Sequence, residues 1–178
     1  MDLYLPDLKY GDNAAAKEYS VAGHYVEASR AALKEMYRQV GPDLVLDEAG
    51  LAHRGLIIRH LILPNEIAGS RECLRFIAEE LSPAVHLSLM AQYYPTNKAH
   101  RKDLISRKIR AREYADVLEI LEEFGFENGW TQEFAATEVG RPDFASAVPF
   151  AWEGGLAPAP LEIVRAGSPT AGARNAPA

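Results

Sequence analysis

Apolar residues recur at helical spacing in several parts of the chain. Across residues 24–40 they follow steps of three and four residues, which predicts an amphipathic helix that ends at Gly41-Pro42. The same spacing predicts helices over residues 70–81, with Ser70 as the N-cap, and over residues 111–124. A shorter helical segment is predicted over residues 14–19.

Strands are predicted between these helices. The clearest is GLIIRHLILPN at residues 55–65, a nearly continuous apolar run of the kind found in parallel sheets whose two faces are covered. A small hairpin is predicted around Asp47-Glu48-Ala49-Gly50, just before this run. Further strands are predicted over residues 2–8, 85–92 and 129–134. Alternation of strands and helices is typical of βαβ units, so the sequence predicts an α/β fold with a parallel sheet.

Arg59 and His60 interrupt the apolar run, and alternation along a strand places them on opposite faces. A desolvated guanidinium is costly, so Arg59 needs an acidic partner, a bound anion or a water-filled lumen. The residues alone leave Arg59 equally open to a ligand-facing role and to a structural ion pair. A lone histidine on an apolar face is more often a hydrogen-bonded core residue than a ligand or base.

Polar residues also follow the other predicted strands, where parallel sheets bind ligands. Asp7 and Lys9 share one face. A carboxylate there could accept hydrogen bonds from ribose hydroxyls, and the ammonium could hold a carboxylate or phosphate. A surface ion pair is the alternative, and the pattern alone favours it. Gln92 could bind a base edge and Tyr93 could stack on a ring, but the pattern alone favours ordinary packing of both side chains.

The composition narrows the possible functions. The chain has 178 residues and a net charge of −6, which argues against a general nucleic-acid binder. No apolar run approaches the ~20 residues of a membrane span, and we expect a cytoplasmic protein. The single cysteine, Cys73, excludes an internal disulfide and cannot by itself supply a zinc or iron–sulfur site. The five histidines show no ligand spacing, so no protein-borne metal site is predicted.

Two segments differ from the rest of the chain. Residues 98–112 carry seven Lys or Arg side chains against the lone Asp103; most such runs are solvated faces, and the functional alternative is docking of an acidic partner surface. Residues 140–178 are rich in Pro, Ala and Gly, which predicts a disordered tail after one domain over residues 1–139.

Five segments, in order, resemble the later half of radical S-adenosylmethionine proteins related to the pyruvate formate-lyase activating enzyme: YLPDLKYGDN (4–13), EMYRQVG (35–41), GLIIRHLILPN (55–65), LSLMAQYYP (87–95) and ENGWTQ (127–132). The resemblance implies a partial, TIM-like (β/α) barrel with parallel strands. It also implies S-adenosylmethionine and a [4Fe-4S] cluster as cofactors of the complete family. There the cluster is bound by a CxxxCxxC loop, and cleavage of the cofactor gives a 5′-deoxyadenosyl radical.

The resemblance also implies roles for individual residues. Asp7 and Lys9 correspond to a strand-end pair near the cofactor's ribose and carboxylate, Arg59 to a lumen arginine, and Gln92 and Tyr93 to positions near the adenine. The sequence has no CxxxCxxC. We therefore expect the carboxyl-terminal portion of such an enzyme, inactive alone, with a protein substrate or a chain supplying the missing half-barrel as partner. The alternative is a non-catalytic α/β binding or assembly module that pairs with another chain.

Overall fold

The computed structural model describes residues 2–131, 134 and 162–163. Four helices and six strands form the described part of the chain. The strands are β1 (Leu3–Tyr4), β2 (Val45–Leu46), β3 (Ala52–Leu61), β4 (His86–Met90), β5 (Gly129–Thr131) and β6 (Glu162–Ile163). The helices are α1 (Asn13–Ser20), α2 (Tyr25–Val40), α3 (Ser70–Glu80) and α4 (Ala111–Glu123), with single 3-10 turns at Pro64–Glu66, Asn97–Arg101 and Asp103–Ile105.

One sheet runs through the molecule in the order β1, β3, β4, β5, β6. The first four of these strands are parallel, and each pairs with the next parallel strand of the chain. Strand β6 joins β5 antiparallel, and β2 forms an antiparallel hairpin with the beginning of β3. The predicted α/β fold with a parallel sheet is confirmed, and so is the hairpin.

The two faces of the sheet differ. On one face, alternate residues of β3 and β4 pack with buried side chains of α2, α3 and α4 in a single apolar core. Its fully buried members include Leu33, Leu56, Ile58, Leu74 and Ile77. On the other face Arg59, Ser88 and Met90 are only partly buried, and Leu5 is 51% exposed. Helices α2, α3 and α4 therefore cover one face of the sheet. On the other face Ile57 is buried and Leu61 packs against a second apolar cluster that includes Ala16 of α1, so this face is only partly accessible.

Close contact between two loops fixes the carboxyl-terminal edge of the sheet. The Gly11 N–H donates to Ala68 O at 2.8 Å, and a Cβ on Gly11 would lie 2.6 Å from Gly69 O. Only glycine allows this approach, because the obstructing atom is backbone. The contact joins the loop after β1 to the start of α3.

Several boundaries differ from the prediction. Of the strand predicted over residues 2–8, only Leu3–Tyr4 forms a regular strand, although Asp7 makes a further parallel bridge to Arg59. Ser70 is not the N-cap of α3: that position is Gly69, whose φ of 60° places it in the left-handed region. The predicted tail over residues 140–178 lies, apart from β6, outside the described residues. None of the described helices is long and apolar enough to cross a bilayer.

Candidate functional site

The backbone pairing of two strands brings Asp7 beside Arg59. The Leu8 N–H donates to Arg59 O and the Arg59 N–H to Pro6 O, both at 2.9 Å. These two bonds are the parallel bridge that sets Asp7 and Arg59 side by side. Their side chains consequently project from the same, half-exposed face of the sheet.

Three charged side chains meet there, and we call Asp7, Lys9 and Arg59 the charged triad. Arg59 Nε donates to Asp7 Oδ1 at 2.6 Å, and Lys9 Nζ lies 3.2 Å from Asp7 Oδ2. The predicted acidic partner of Arg59 is thus Asp7. The side chains of Arg59, Asp7 and Lys9 are 40%, 27% and 49% exposed, so the group is open to solvent rather than sealed in the core. Two cations and one anion leave the triad with a net positive charge.

Tyr25, which the sequence did not single out, supports the backbone of the triad. Its hydroxyl accepts from the Lys9 N–H at 2.7 Å and donates to Asp7 O at 3.2 Å. The ring stacks edge-on against Tyr10, with centroids 5.5 Å apart. Burial raises the pKa of Tyr25. The available signal was the helical spacing of Tyr25, Ser29 and the buried Leu33, which places Tyr25 on the face of α2 that packs against the core.

Gln92 and Tyr93 lie after β4, at the same edge of the sheet. Gln92 is exposed. Tyr93 is partly buried, and its hydroxyl donates to Ile105 O at 2.7 Å. Among the described residues, no hydrogen bond or ion pair connects either side chain to the charged triad. Tyr93 therefore serves first as a tether for the loop that follows it.

His60 points away from the triad and into the core, as the alternation predicts. It is fully buried; Nδ1–H donates to Leu8 O at 2.6 Å, and Nε2 accepts from the Ser70 hydroxyl at 2.9 Å. A carbonyl can only accept, which fixes the proton on Nδ1. Burial lowers the pKa of His60, so the neutral ring is favoured. His60 therefore links three parts of the fold: strand β3, the segment that follows β1, and helix α3. Both ring nitrogens are engaged in these bonds, so neither is free for catalysis.

A second polar network, the Glu113 clamp, ties the loop after β4 to the end of β3. The Glu113 carboxylate accepts from both Arg107 Nη atoms at 2.8 Å, and from the N–H groups of Asn65 and Arg110 at 2.7 Å. The hydrogen bonds from Arg107 lower the pKa of Glu113 from 4.5 to about 2. Asn65 and Glu66 both have positive φ, at 56° and 57°, and left-handed backbone is unusual at a glutamate.

The described residues do not provide a metal centre. No group of three or more His, Cys, Asp or Glu side chains within the described part of the chain could hold a metal ion. Cys73, the only cysteine of the sequence, is buried, and burial raises the pKa of its thiol to about 12. A [4Fe-4S] cluster needs several cysteine thiolates. The residues of this chain therefore do not fit the cluster that the family resemblance implies.

No protein-family model matches the sequence, and no solved structure is significantly similar to it. The chain is similar to the uncharacterized protein MJ0674 of Methanocaldococcus jannaschii, with 29% identity over 128 residues. The match covers 71% of this chain and 33% of that protein, so the chain spans about a third of the relative's length.

Proposed function

We propose that this chain is the carboxyl-terminal part of a radical S-adenosylmethionine type (β/α) barrel, and that its charged triad binds S-adenosylmethionine. The observation that carries the proposal is the position of Asp7, Lys9 and Arg59. They lie together on the accessible face of the sheet, towards the carboxyl ends of two neighbouring parallel strands. Parallel α/β sheets bind their ligands at this edge.

The order of the strands supports a barrel. Each parallel strand pairs with the next one along the chain, and helices α2, α3 and α4 pack against the same face. A doubly wound sheet instead has helices on both faces. The accessible face would then line the lumen of the complete barrel, and Arg59 and Ser88 would project into it.

The charges of the triad match the amino-acid part of the ligand. Asp7 compensates one of the two cations, and the remaining positive charge suits a single carboxylate. Arg59 is the better partner for that carboxylate because its planar guanidinium has N–H groups beyond Nε that donate to no described residue. The Asp7 oxygens could accept hydrogen bonds from ribose hydroxyls. A cluster that donates an electron to the cofactor would have to be held by residues outside this chain. We assign to this chain only binding and orientation of the cofactor, and expect it to be inactive alone.

Equilibrium binding of S-adenosylmethionine by calorimetry tests the proposal. We expect Arg59→Met to weaken binding about tenfold or more, which corresponds to ~1.4 kcal/mol, because a charge-assisted contact is lost. Arg54→Met is the matched control: Arg54 lies on the same strand, is similarly exposed, and is paired with Asp2 at the other end of the sheet. Binding by the control should equal that of the unaltered protein.

A second ligand shows which part of the cofactor Arg59 contacts. 5′-Deoxy-5′-methylthioadenosine lacks the amino-acid carboxylate, so Arg59→Met should not change its affinity. Absence of S-adenosylmethionine binding, or equal binding by Arg59→Met, would contradict the proposal. A second experiment tests whether the chain is inactive alone: anaerobic reconstitution with iron and sulfide, in the presence of a reductant. Formation of 5′-deoxyadenosine by this chain alone would refute the proposal that it binds the cofactor without cleaving it.

The accessible face also supports a second candidate, a non-catalytic module that pairs with another polypeptide. Leu5 on this face is 51% exposed, and among the described residues β1 pairs only with β3. Unpaired strand edges and exposed apolar side chains favour association. A stoichiometric partner that copurifies with the chain and is lost in Leu5→Glu supports this candidate. A folded monomer that recruits no partner from a lysate of the source organism counts against it.

A further inference from the structure

We propose that residues 97–112, here called the basic platform, are a preorganised docking surface for an acidic segment of a partner protein. The platform carries seven Lys or Arg residues and one acid, Asp103, although the whole chain has a net charge of −6. It begins seven residues after β4 and ends in the first turn of α4. This inference does not depend on binding of S-adenosylmethionine.

Part of the positive charge is compensated within the protein. Lys102 pairs with Glu18, Arg107 pairs with Glu113, and Arg112 lies 3.8 Å from Asp116. In contrast, Lys98, Arg101 and Arg110 make no ion pair with any described residue, and all three are exposed. Because residues i and i+3 eclipse in a 3-10 helix, Lys98 and Arg101 project from the same side of their turn. The turn therefore presents two adjacent, uncompensated cations to solvent.

The platform is held in one conformation by contacts to three other parts of the fold. Tyr93 binds Ile105 O at 2.7 Å, and Asn65 Nδ2 binds Leu104 O at 2.6 Å. Lys102 Nζ also donates to Glu18 O at 3.1 Å, which links the platform to α1. Ile105 and Ile109 are buried beneath the surface, at 8% and 5% exposure. A solvated loop whose charges serve only solubility does not need these anchors.

Apolar side chains accompany the charges. Leu104 is 50% exposed within the platform. Tyr94, just before the platform, is 37% exposed, and Lys108 Nζ lies 5.2 Å from the centroid of its ring. An acidic peptide that also carries apolar side chains would satisfy both kinds of surface.

The overall charge argues against the other polyanions. A nucleic acid or an anionic membrane extends over a wide area and would meet the acidic remainder of the molecule, whose repulsion opposes association. A short protein segment contacts only the platform. Charge complementarity therefore favours a polypeptide partner.

Fluorescence anisotropy with a labelled synthetic peptide tests the proposal. The probe is a short peptide in which pairs of glutamates alternate with single leucines. We expect saturable binding that weakens with added salt, and a loss of about tenfold in affinity in Lys98→Gln/Arg101→Gln. The matched control is Arg38→Gln/Arg75→Gln, which removes the same charge from two exposed helix positions, each paired with a glutamate on its own helix.

The control should bind the probe as the unaltered protein does. Equal loss in both double variants would show an effect of net charge alone and would overturn the proposal, as would no binding. Tighter binding of a single-stranded oligonucleotide, or of phosphatidylserine vesicles, than of the peptide would overturn the choice of partner. Circular dichroism of both variants confirms that the fold is retained.

Discussion

Replacement of Glu113 by glutamine tests whether the Glu113 clamp stabilises the fold. The Arg107 hydrogen bonds lower the pKa of this carboxyl from 4.5 to about 2, which sets an upper limit of ~3 kcal/mol on the stabilisation. The side chain is 17% exposed, and solvent screening reduces the value. We therefore expect Glu113→Gln to lower the free energy of unfolding by about 2 kcal/mol at pH 6.

The effect should depend on pH in a defined direction. A carboxyl whose pKa is lower in the folded state stabilises the protein fully above the pKa of the unfolded chain, near 4.5. This stabilisation is lost as the pH falls through the folded pKa, near 2. Once Glu113 is protonated it resembles glutamine, so the difference between the two proteins should shrink progressively below pH 4.5.

Urea unfolding followed by circular dichroism, at pH 6 and at several lower values, measures this difference. Glu119→Gln is the control, because Glu119 is an exposed residue of the same helix, with no ion pair among the described residues. It should stay within ~0.5 kcal/mol of the unaltered protein. A Glu113→Gln protein as stable as the control at pH 6, or a difference that does not change with pH, would refute the reasoning.

Three further predictions concern two buried residues, His60 and Cys73, and one close backbone contact, at Gly129. His60→Leu should cost about 2–4 kcal/mol, because it leaves the Ser70 hydroxyl and a buried carbonyl without their partner. Since the pKa of His60 is lowered in the fold, the free energy of unfolding of the unaltered protein should decrease as the pH falls below 6.5. Chemical denaturation of His60→Leu should show a smaller decrease over the same pH range. Cys73, with a thiol pKa of about 12, should react with Ellman's reagent at pH 8 only after unfolding; fast reaction of the folded protein would contradict its burial. Gly129→Ala would place a Cβ 2.0 Å from Leu87 O at a φ of 136°, so we expect a loss of ~2 kcal/mol or more in thermal unfolding. Gly23→Ala, whose Cβ would meet only Lys17 Cδ at 4.0 Å, should be nearly neutral.

Much of the fold follows from the hydrophobic pattern. The prediction for residues 24–40 agrees closely with α2 at Tyr25–Val40, and that for residues 111–124 with α4 at Ala111–Glu123. Their apolar positions repeat at the helical period over three or more turns, which is the strongest local signal a sequence carries. The first strand is shorter than predicted: Pro6 lacks the N–H that regular pairing requires, and pairing resumes only at Asp7.

The candidate site was predictable only in part. Alternation along β3 correctly separated Arg59 from His60, and the i, i+2 spacing correctly paired Asp7 with Lys9. The Asp7–Arg59 contact joins residues 52 positions apart, so only the register of the sheet reveals it. The Glu113 clamp was missed for the same reason, since it depends on the left-handed turn that presents the Asn65 N–H to α4.

Each parallel strand pairs with the next one along the chain, and this order has a consequence for how the protein folds during its synthesis. Among the described residues, all of the largest fully buried side chains lie between Leu8 and Leu89. A nascent chain that ends just after β4 already contains each of them, so β1, β3, β4, α2 and α3 can begin to pack before α4 adds Tyr114 and Val117 to the same core. Domains generally fold from the amino terminus during translation. The later elements then add to a preformed layer, and a chain truncated after Pro95 should retain a protected core in hydrogen exchange.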